Sequence, residues 1–170
     1  MKKNKIKDTG LEVTELSFGT SSLGSMPDTY GYEVPEERAQ KTLNRFFQGP
    51  VNMLDTSRNY AMGESEKRIG KAIKENGGWP NGFLLSTKLD RNMDTLVLDK
   101  NRVRESLEES LKTLNVDSVD ILFLHDPEYA KDITDITKKD GAMDELFKIK
   151  NEGLAKAAGV AMGKVDIMFP

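Results

Sequence analysis

Residues 83–125 read FLLSTKLDRNMDTLVLDKNRVRESLEESLKTLNVDSVDILFLH, which is an apolar run, a helical pattern and a second apolar run. The two apolar runs, residues 83–87 and 119–124, have the length and composition of buried strands. Between them, apolar residues recur at helical spacing at Val103, Leu107, Leu111 and Leu114. A strand, a helix and a second strand in this order predict two parallel strands with the helix packed on their sheet.

The same unit recurs along the chain about every 35 residues. Three more strand-like runs, residues 16–19, 51–54 and 155–161, bring the number of predicted strands to five. Asp99 and Asp140 suit helix N-caps, and a turn-prone cluster at residues 8–10 predicts a short hairpin near the N-terminus. Because no Ser/Gly-rich or Pro-rich linker divides the 170 residues, we expect a single domain, with the hairpin over 1–15 and five βα units over 16–170.

Two architectures are compatible with this repeat. Five strands in a chain of this length suit an open, doubly wound sheet, since a closed eight-stranded barrel needs roughly 250 residues. However, no predicted strand leads into G-x-G-x-x-G or a P-loop, the motifs that most often mark nucleotide binding in open sheets. Length and motifs therefore favour different answers.

Composition excludes several classes of function. The 25 basic and 28 acidic residues give a net charge of −3 and a pI near 5.4, so we expect no nucleic-acid partner. The absence of Cys and the presence of a single His exclude thiolate and multi-His metal sites, and no metal is expected. No apolar run approaches the roughly 20 residues that span a bilayer, so we expect no membrane partner and a cytoplasmic location.

Polar residues stand where three of the predicted strands end. Asp55, Lys88 and His125 each follow an apolar run, and Tyr60 comes five residues after Asp55. In parallel α/β folds the carboxyl ends of the strands carry the active site. A carboxylate, an ammonium, an imidazole and a phenol are therefore expected to meet at one edge of the sheet.

Several stretches resemble the aldo-keto reductase family. Residues 52–70, NMLDTSRNYAMGESEKRIG, are similar to the family's signature around its catalytic Asp and Tyr, and residues 84–88 and 120–125 are similar to the strands that carry its catalytic Lys and His. Residues 18–24, FGTSSLG, resemble its first strand and loop, near the cofactor and substrate. The resemblance implies the TIM-type (β/α)8 barrel family, present here as a partial barrel of about five βα units with a short N-terminal hairpin.

The resemblance also implies a site and a cofactor. The catalytic residues would be Asp55, Tyr60, Lys88 and His125, and the cofactor-binding residues would be Gly19, Thr20, Ser21 and Asp55. The cofactor would be NAD or NADP, with NADP favoured by the family resemblance. The chain would then be an oxidoreductase that interconverts a carbonyl compound and an alcohol.

The residue types suit this chemistry. An ordinary phenol has a pKa near 10 and is a poor acid at neutral pH, so a catalytic Tyr needs a cation beside it. Lys88 can supply that cation, Asp55 can hold the ammonium, and His125 can hydrogen-bond the substrate oxygen. No side chain accepts a hydride, which implies a nicotinamide cofactor.

Taken singly, each of these residues is more often structural, and other functions stay open. Asp55 with Asp126 would supply the carboxylate pair of a glycosidase. Ser57, His125 and Asp126 would supply a hydrolase triad, although no G-x-S-x-G elbow is present. The chain could also be a non-catalytic interaction module, as channel-associated relatives of the family are.

The chain also departs from the family pattern. It ends just beyond the fifth predicted strand, so we expect a truncated barrel that lacks about three βα units, and possible homo-oligomers through the open sheet edges. Residues 159–163, GVAMG, differ from the Gly-Val-Ser-Asn run that many members use near the nicotinamide. Residues 20–24 and 125–128 look most like the branch of sugar (aldose) dehydrogenases, which implies a small carbonyl or sugar substrate.

Overall fold

A computed structural model describes residues 1–164 of the chain, and residues 165–170, at the end of the expected fifth βα unit, lie outside the described residues. The strands are β1 (Lys3–Lys5), β2 (Glu12–Thr14), β3 (Phe18–Gly19), β4 (Met53–Asp55), β5 (Leu84–Leu89), β6 (Val119–His125) and β7 (Ala155–Ala161). The helices are α1 (Pro27–Tyr30), α2 (Glu36–Phe47), α3 (Glu64–Glu75), α4 (Lys100–Leu114), α5 (Thr134–Thr137) and α6 (Ala142–Asn151). Over residues 1–164, no helix is long and apolar enough to cross a bilayer.

The strand order decides between the two architectures. Strands β3 to β7 form one five-stranded sheet, and every strand pairs in parallel with its neighbour in the chain. A doubly wound sheet reverses its strand order at a switch point, whereas a (β/α) barrel adds each new strand on the same side. The observed order is that of a barrel, so the partial barrel is confirmed and the open doubly wound sheet suggested by chain length is wrong.

The helices cover one face of this sheet and enclose the main core. Leucine and isoleucine side chains of α2, α3, α4 and α6 pack on strand residues such as Leu54 and Leu122. The largest fully buried side chains are Leu43, Leu54, Ile69, Ile73, Leu85, Leu89, Leu98, Leu107, Leu114, Leu122, Leu124 and Leu146. Each such side chain stabilises the fold by roughly 1.5–3 kcal/mol relative to leaving it in water.

The antiparallel pair β1 and β2 lies over the other face of the sheet, at its amino-terminal end. Leu11 packs there with Leu84, Ile121 and Ala157 in a second, smaller core. Asn52 fastens the hairpin, because its Oδ1 accepts the Thr14 backbone N–H at 2.8 Å and its Nδ2 donates to the Glu12 carbonyl at 2.9 Å. The carboxyl-terminal end of this face is left for polar side chains.

The helix boundaries show which local signals were reliable. Asp99 caps α4, since its Oδ1 accepts the Arg102 backbone N–H at 2.9 Å. The N-cap predicted at Asp140 is wrong by one residue: α6 begins at Ala142 after Gly141, and the Asp140 backbone N–H donates instead to Asp144 Oδ2 at 2.7 Å. The first predicted strand also begins late, because Leu16 is 62 % exposed and pairing starts at Phe18.

Helices α3 and α4 approach closely at Gly70. A Cβ atom added at Gly70 would lie 1.9 Å from the backbone oxygen of Thr113. Only glycine fits this contact, because any side chain would force the two helices apart. The contact fixes the helix that follows the loop carrying Tyr60.

Candidate active site

The ammonium of Lys88 lies at the centre of the polar cluster. Its Nζ donates to Asp55 Oδ2 at 2.7 Å, to the Thr56 carbonyl at 2.7 Å and to Tyr60 Oη at 3.0 Å. The Lys88 side chain is only 7 % exposed. Three oxygens therefore satisfy the three ammonium protons, and the cation is held in contact with the phenol.

Strand alternation explains how Lys88 reaches this place. Residues 86, 88 and 90 point to the face opposite the helices, because side chains alternate along a strand. Ser86 Oγ donates to Asp55 Oδ1 at 2.9 Å, so both oxygens of Asp55 are occupied. An Asp held in this way orients the lysine and is not a free acid, which counts against the glycosidase interpretation with Asp126.

A tight turn brings Tyr60 over the end of the sheet. Ala61 and Met62 have φ values of 51° and 54°, in the left-handed region that residues with a Cβ seldom adopt. The Tyr60 backbone N–H donates to the Ser57 carbonyl at 3.1 Å, which closes the turn just before α3. Strained backbone of this kind is often found at functional sites.

His125 faces Tyr60 across the cluster. The two ring centroids lie 5.9 Å apart, with the ring planes almost perpendicular. Thus all four expected catalytic residues meet at the carboxyl ends of β4, β5 and β6. The sequence analysis expected these four side chains to meet at one edge of the sheet.

Sequence reasoning missed one residue of the cluster, Asp90. Asp90 Oδ1 lies 2.6 Å from His125 Nδ1, and the Asp90 side chain is 1 % exposed. The signal was present, because Asp90 follows Lys88 by two residues and so points to the same face of the sheet. Strand alternation gives the face of Asp90 but not its partner, which depends on the pairing register of the two strands.

Ser57 is close to His125 but does not form the hydrolase triad considered above. Its Oγ donates to Asp90 Oδ2 at 2.7 Å and lies 3.1 Å from His125 Nδ1. Ser57 is fully buried, so a substrate carbonyl cannot reach its hydroxyl. Asp126, the expected third member, lies at the other ring nitrogen, with Oδ2 at 3.9 Å from Nε2.

The residues expected to bind the cofactor lie beside Asp55. Gly19 pairs with Asp55 in the β3–β4 register, and Thr20 donates both its backbone N–H and its hydroxyl to the Asp55 carbonyl. Thr20 is fully buried, so its side chain holds the strand ends together. The Ser21 hydroxyl is hydrogen-bonded to Tyr30 Oη. Gly19 is exposed, and a Cβ added there would meet no atom within 4 Å.

A second titratable group is buried on the helix side of the sheet. Glu66, in the first turn of α3, is fully buried, and its Oε1 accepts the Thr87 hydroxyl at 2.6 Å. Burial raises the pKa of Glu66 to about 7, although the Thr87 hydroxyl and the charge of Arg58 partly oppose this. Because Thr87 and Lys88 point to opposite faces, Glu66 is separated from the four expected catalytic residues by the sheet.

Comparison with known proteins agrees with this geometry. A sequence model of the Aldo/keto reductase family matches residues 15–168. The chain belongs to the aldo-keto reductase family. It is 34 % identical over 160 residues to an L-galactose dehydrogenase of Arabidopsis thaliana, covering 94 % of this chain and 48 % of that protein. It is 30 % identical over 171 residues to the aldo-keto reductase YhdN of Bacillus subtilis (strain 168), covering 99 % and 49 %.

The fold agrees as well. The solved holo form of an aldo-keto reductase from Bacillus halodurans superposes with a TM-score of 0.77 at 26 % identity, over 99 % of this chain and 52 % of that one. The chain therefore spans about half the length of the relatives that it matches.

Proposed function

We propose that this protein is an NAD(P)-dependent oxidoreductase that interconverts an aldehyde or ketone and the corresponding alcohol, with Tyr60 as the proton donor and acceptor. One observation carries the proposal: Lys88 Nζ bridges Asp55 Oδ2 at 2.7 Å and Tyr60 Oη at 3.0 Å in a nearly buried position. A cation in contact with a phenol stabilises its ionised form, so the phenol can give up its proton to a carbonyl oxygen and take it back from an alcohol.

The other residues of the cluster support this proton transfer. Asp55 holds the ammonium by a charge-assisted hydrogen bond, and the Thr56 carbonyl prevents it from turning away. The His125 ring lies across from the phenol, at a place where it can hydrogen-bond the bound substrate. Lys88 is a positioning and electrostatic residue, while Tyr60 and His125 would contact the substrate.

The hydride requires a cofactor, and the exposed carboxyl end of the sheet beside Asp55 is where we place it. When bound, a nicotinamide supplies or accepts the hydride, which no side chain can do. A Cβ atom added at Gly19, which pairs with Asp55, would meet no atom within 4 Å, so the backbone there is open to a bound nicotinamide. Gly19, Ser21 and Asp55 would hold it, with Thr20 acting through its backbone, and NADP is the form that the family resemblance favours.

We further propose an aldose as the substrate. The relative in Arabidopsis thaliana is an L-galactose dehydrogenase, and the loops that follow β3 and β6 here resemble those of sugar dehydrogenases. Asp126, whose side chain is 37 % exposed, lies beside His125 and can accept hydrogen bonds from sugar hydroxyls. A carboxylate beside His125 suits a polyhydroxylated compound better than a simple apolar aldehyde.

The test measures nicotinamide absorbance while the chain is mixed with NADPH or NADH and aldehydes, or with the oxidised cofactors and aldoses. Lys88→Met removes the cation beside Tyr60 and should lower turnover by about 10²- to 10³-fold, as the loss of one electrostatic contact to a reacting group does. Lys156→Met is the matched control. It breaks an equally short ion pair, with Asp120 at 2.7 Å, at the other end of the sheet, and should leave turnover unchanged.

Two results would overturn the proposal. Equal turnover for the Lys88 variant and the unmodified chain would remove Lys88 from the mechanism. Cofactor binding without any turnover in the unmodified chain would instead favour the non-catalytic interaction module.

A further inference from the structure

The carboxylate of Asp90 receives three hydrogen-bond donors. Ser57 Oγ donates to Oδ2 at 2.7 Å, the Asn59 backbone N–H donates to Oδ2 at 3.1 Å, and His125 Nδ1 lies 2.6 Å from Oδ1. The group is also fixed from behind, because the Asp90 backbone N–H donates to Ser106 Oγ and the Asp90 carbonyl accepts Arg102 Nε. Neither the carboxylate nor its backbone can turn away from the imidazole.

A distance of 2.6 Å between Asp90 Oδ1 and His125 Nδ1 requires a proton between them. An ionised carboxylate only accepts hydrogen bonds, so an unprotonated Nδ1 would place two lone pairs against each other. The Ser57 hydroxyl does not remove the conflict, since its proton points to Asp90 Oδ2. We propose that Asp90 is a positioning residue that fixes the neutral His125 ring in the Nδ1–H tautomer, with the lone pair of Nε2 turned to the reaction site.

The competing charge near the ring is weaker. Asp126 Oδ2 lies 3.9 Å from His125 Nε2, beyond hydrogen-bond distance, and the Asp126 side chain is 37 % exposed. Asp90 is in direct contact at Nδ1 and is 1 % exposed. Lys88 Nζ donates to Tyr60 Oη, and the Tyr60 ring packs against the His125 ring, so the ammonium acts on the imidazole only indirectly. Because the nearer and more deeply buried carboxylate interacts more strongly, it decides which nitrogen carries the proton.

The tautomer determines what His125 offers a substrate. With the proton on Nδ1, the neutral ring cannot donate a hydrogen bond to a carbonyl oxygen but can accept one at Nε2 from a substrate hydroxyl other than the reacting one, whose proton passes to Tyr60. Within residues 1–164, Nε2 has no hydrogen-bond partner, so it is free to accept one. The arrangement therefore favours substrates that carry a second hydroxyl near the reacting carbon, a consequence that rests on the function proposed above.

The tautomer can be measured without any enzyme assay. His125 is the only histidine of the chain, so its ring gives a single pair of nitrogen signals in a ¹⁵N-labelled sample. At a pH where the ring is neutral, we expect the nitrogen shifts of a protonated Nδ1 and an unprotonated Nε2. A protonated Nε2 in the unmodified chain would overturn the proposal, whatever the activity of the protein.

Asp90→Asn makes the sharper comparison. The amide oxygen would stay with the two donors at the Oδ2 position, the Ser57 hydroxyl and the Asn59 N–H, so the amide NH₂ would face His125 Nδ1 and donate to it. We expect the proton to move to Nε2 and the two nitrogen shifts to exchange. An unchanged tautomer in a folded Asp90→Asn protein would contradict the assignment.

Two further variants separate positioning from a general structural effect. Asp120→Asn changes another buried carboxylate that accepts a backbone N–H, at the other end of the sheet, and should leave the His125 signals in place. Ser57→Ala keeps the Asp90 contact and should retain the Nδ1 proton even if Asp90→Asn fails to fold. Loss of the Nδ1 proton in Ser57→Ala would show that Ser57 fixes the tautomer of His125 and would refute the role of Asp90.

Kinetics supply the second readout. In Asp90→Asn, kcat/KM for an aldose should fall by about tenfold or more, the equivalent of one hydrogen bond, while kcat/KM for an aldehyde without other hydroxyls falls less because it offers Nε2 no proton to accept. An equal fall for both substrates, with the tautomer exchanged, would contradict the proposed preference for a polyhydroxylated substrate. Absence of activity in every variant and in the unmodified chain would count against the proposed function and not against the tautomer.

Discussion

Glu66 provides a quantitative test of the packing behind the sheet. Its carboxyl group is fully buried between α3, β5 and α4. Oε1 accepts a hydrogen bond from the Thr87 hydroxyl, while Oε2 has no hydrogen-bond partner within residues 1–164. Glu66→Gln keeps the shape and the acceptor for Thr87 but removes the ionisation. The new amide N–H can also donate to the Ser110 hydroxyl, which has no partner either.

The magnitude follows from the pKa of Glu66, which burial raises from 4.5 to about 7. At a pH below the pKa of Glu66 in the unfolded chain, the group is protonated in both the folded and the unfolded chain, so the stability that the neutral group contributes is complete there. Between the pKa of the unfolded chain and that of the folded chain, the folded chain holds more protons than the unfolded chain, so the free energy of unfolding falls as pH rises. Since a tenfold change in acid dissociation is worth about 1.4 kcal/mol, the full loss is about 3 kcal/mol above pH 7.

Urea unfolding at about pH 5 and about pH 8 measures this loss. We expect the free energy of unfolding of Glu66→Gln, relative to the unmodified chain, to rise by about 2–3 kcal/mol between the two pH values. Glu109→Gln is the control with the opposite sign, because the Arg102 hydrogen bond lowers the pKa of Glu109 and the stability that it gives is lost toward acid. If the Glu66 variant and the unmodified chain keep the same difference at both pH values, the carboxyl group is not buried as described.

Two further substitutions test the fold itself by urea unfolding. Gly70→Ala should destabilise the chain by about 2 kcal/mol or more, because its Cβ would overlap the Thr113 carbonyl. Gly19→Ala is the control and should cost much less, because its Cβ meets nothing within 4 Å. Equal effects of the two substitutions would refute the close approach of α3 and α4. Asp99→Ala should cost about 1 kcal/mol through the lost cap on α4, and the same change at Asp140, which caps no helix, would separate the cap from a general charge effect.

The repeat of strands and helices was accessible from the sequence because apolar spacing records burial directly. The four expected catalytic positions could also be found: Asp55, Lys88 and His125 follow apolar runs that must lie side by side in a parallel sheet, and Tyr60 comes five residues after Asp55. The choice between open sheet and barrel was not accessible from chain length. It depends on which strands pair, and that information lies in long-range contacts.

Two features of the site required coordinates. The partner of His125 is set by strand register, which brings Asp90 at the end of β5 beside the end of β6, and no local pattern states that register. The left-handed turn at Ala61 and Met62 was equally hidden, because neither residue type favours positive φ. Tertiary contacts with the loop around Gly24 accompany this conformation: a Cβ atom added at Gly24 would lie 2.4 Å from Ala61 Cβ.

The most direct measurement is the turnover of Tyr60→Phe, with cofactor affinity determined on the same sample. The variant keeps the ring that faces His125 and loses only the hydroxyl that Lys88 contacts. Turnover should fall by roughly 10²- to 10⁴-fold with cofactor affinity retained, and Tyr32→Phe, at a half-exposed tyrosine outside the cluster, should behave like the unmodified chain. Undiminished turnover in Tyr60→Phe would show that the proton travels by another route.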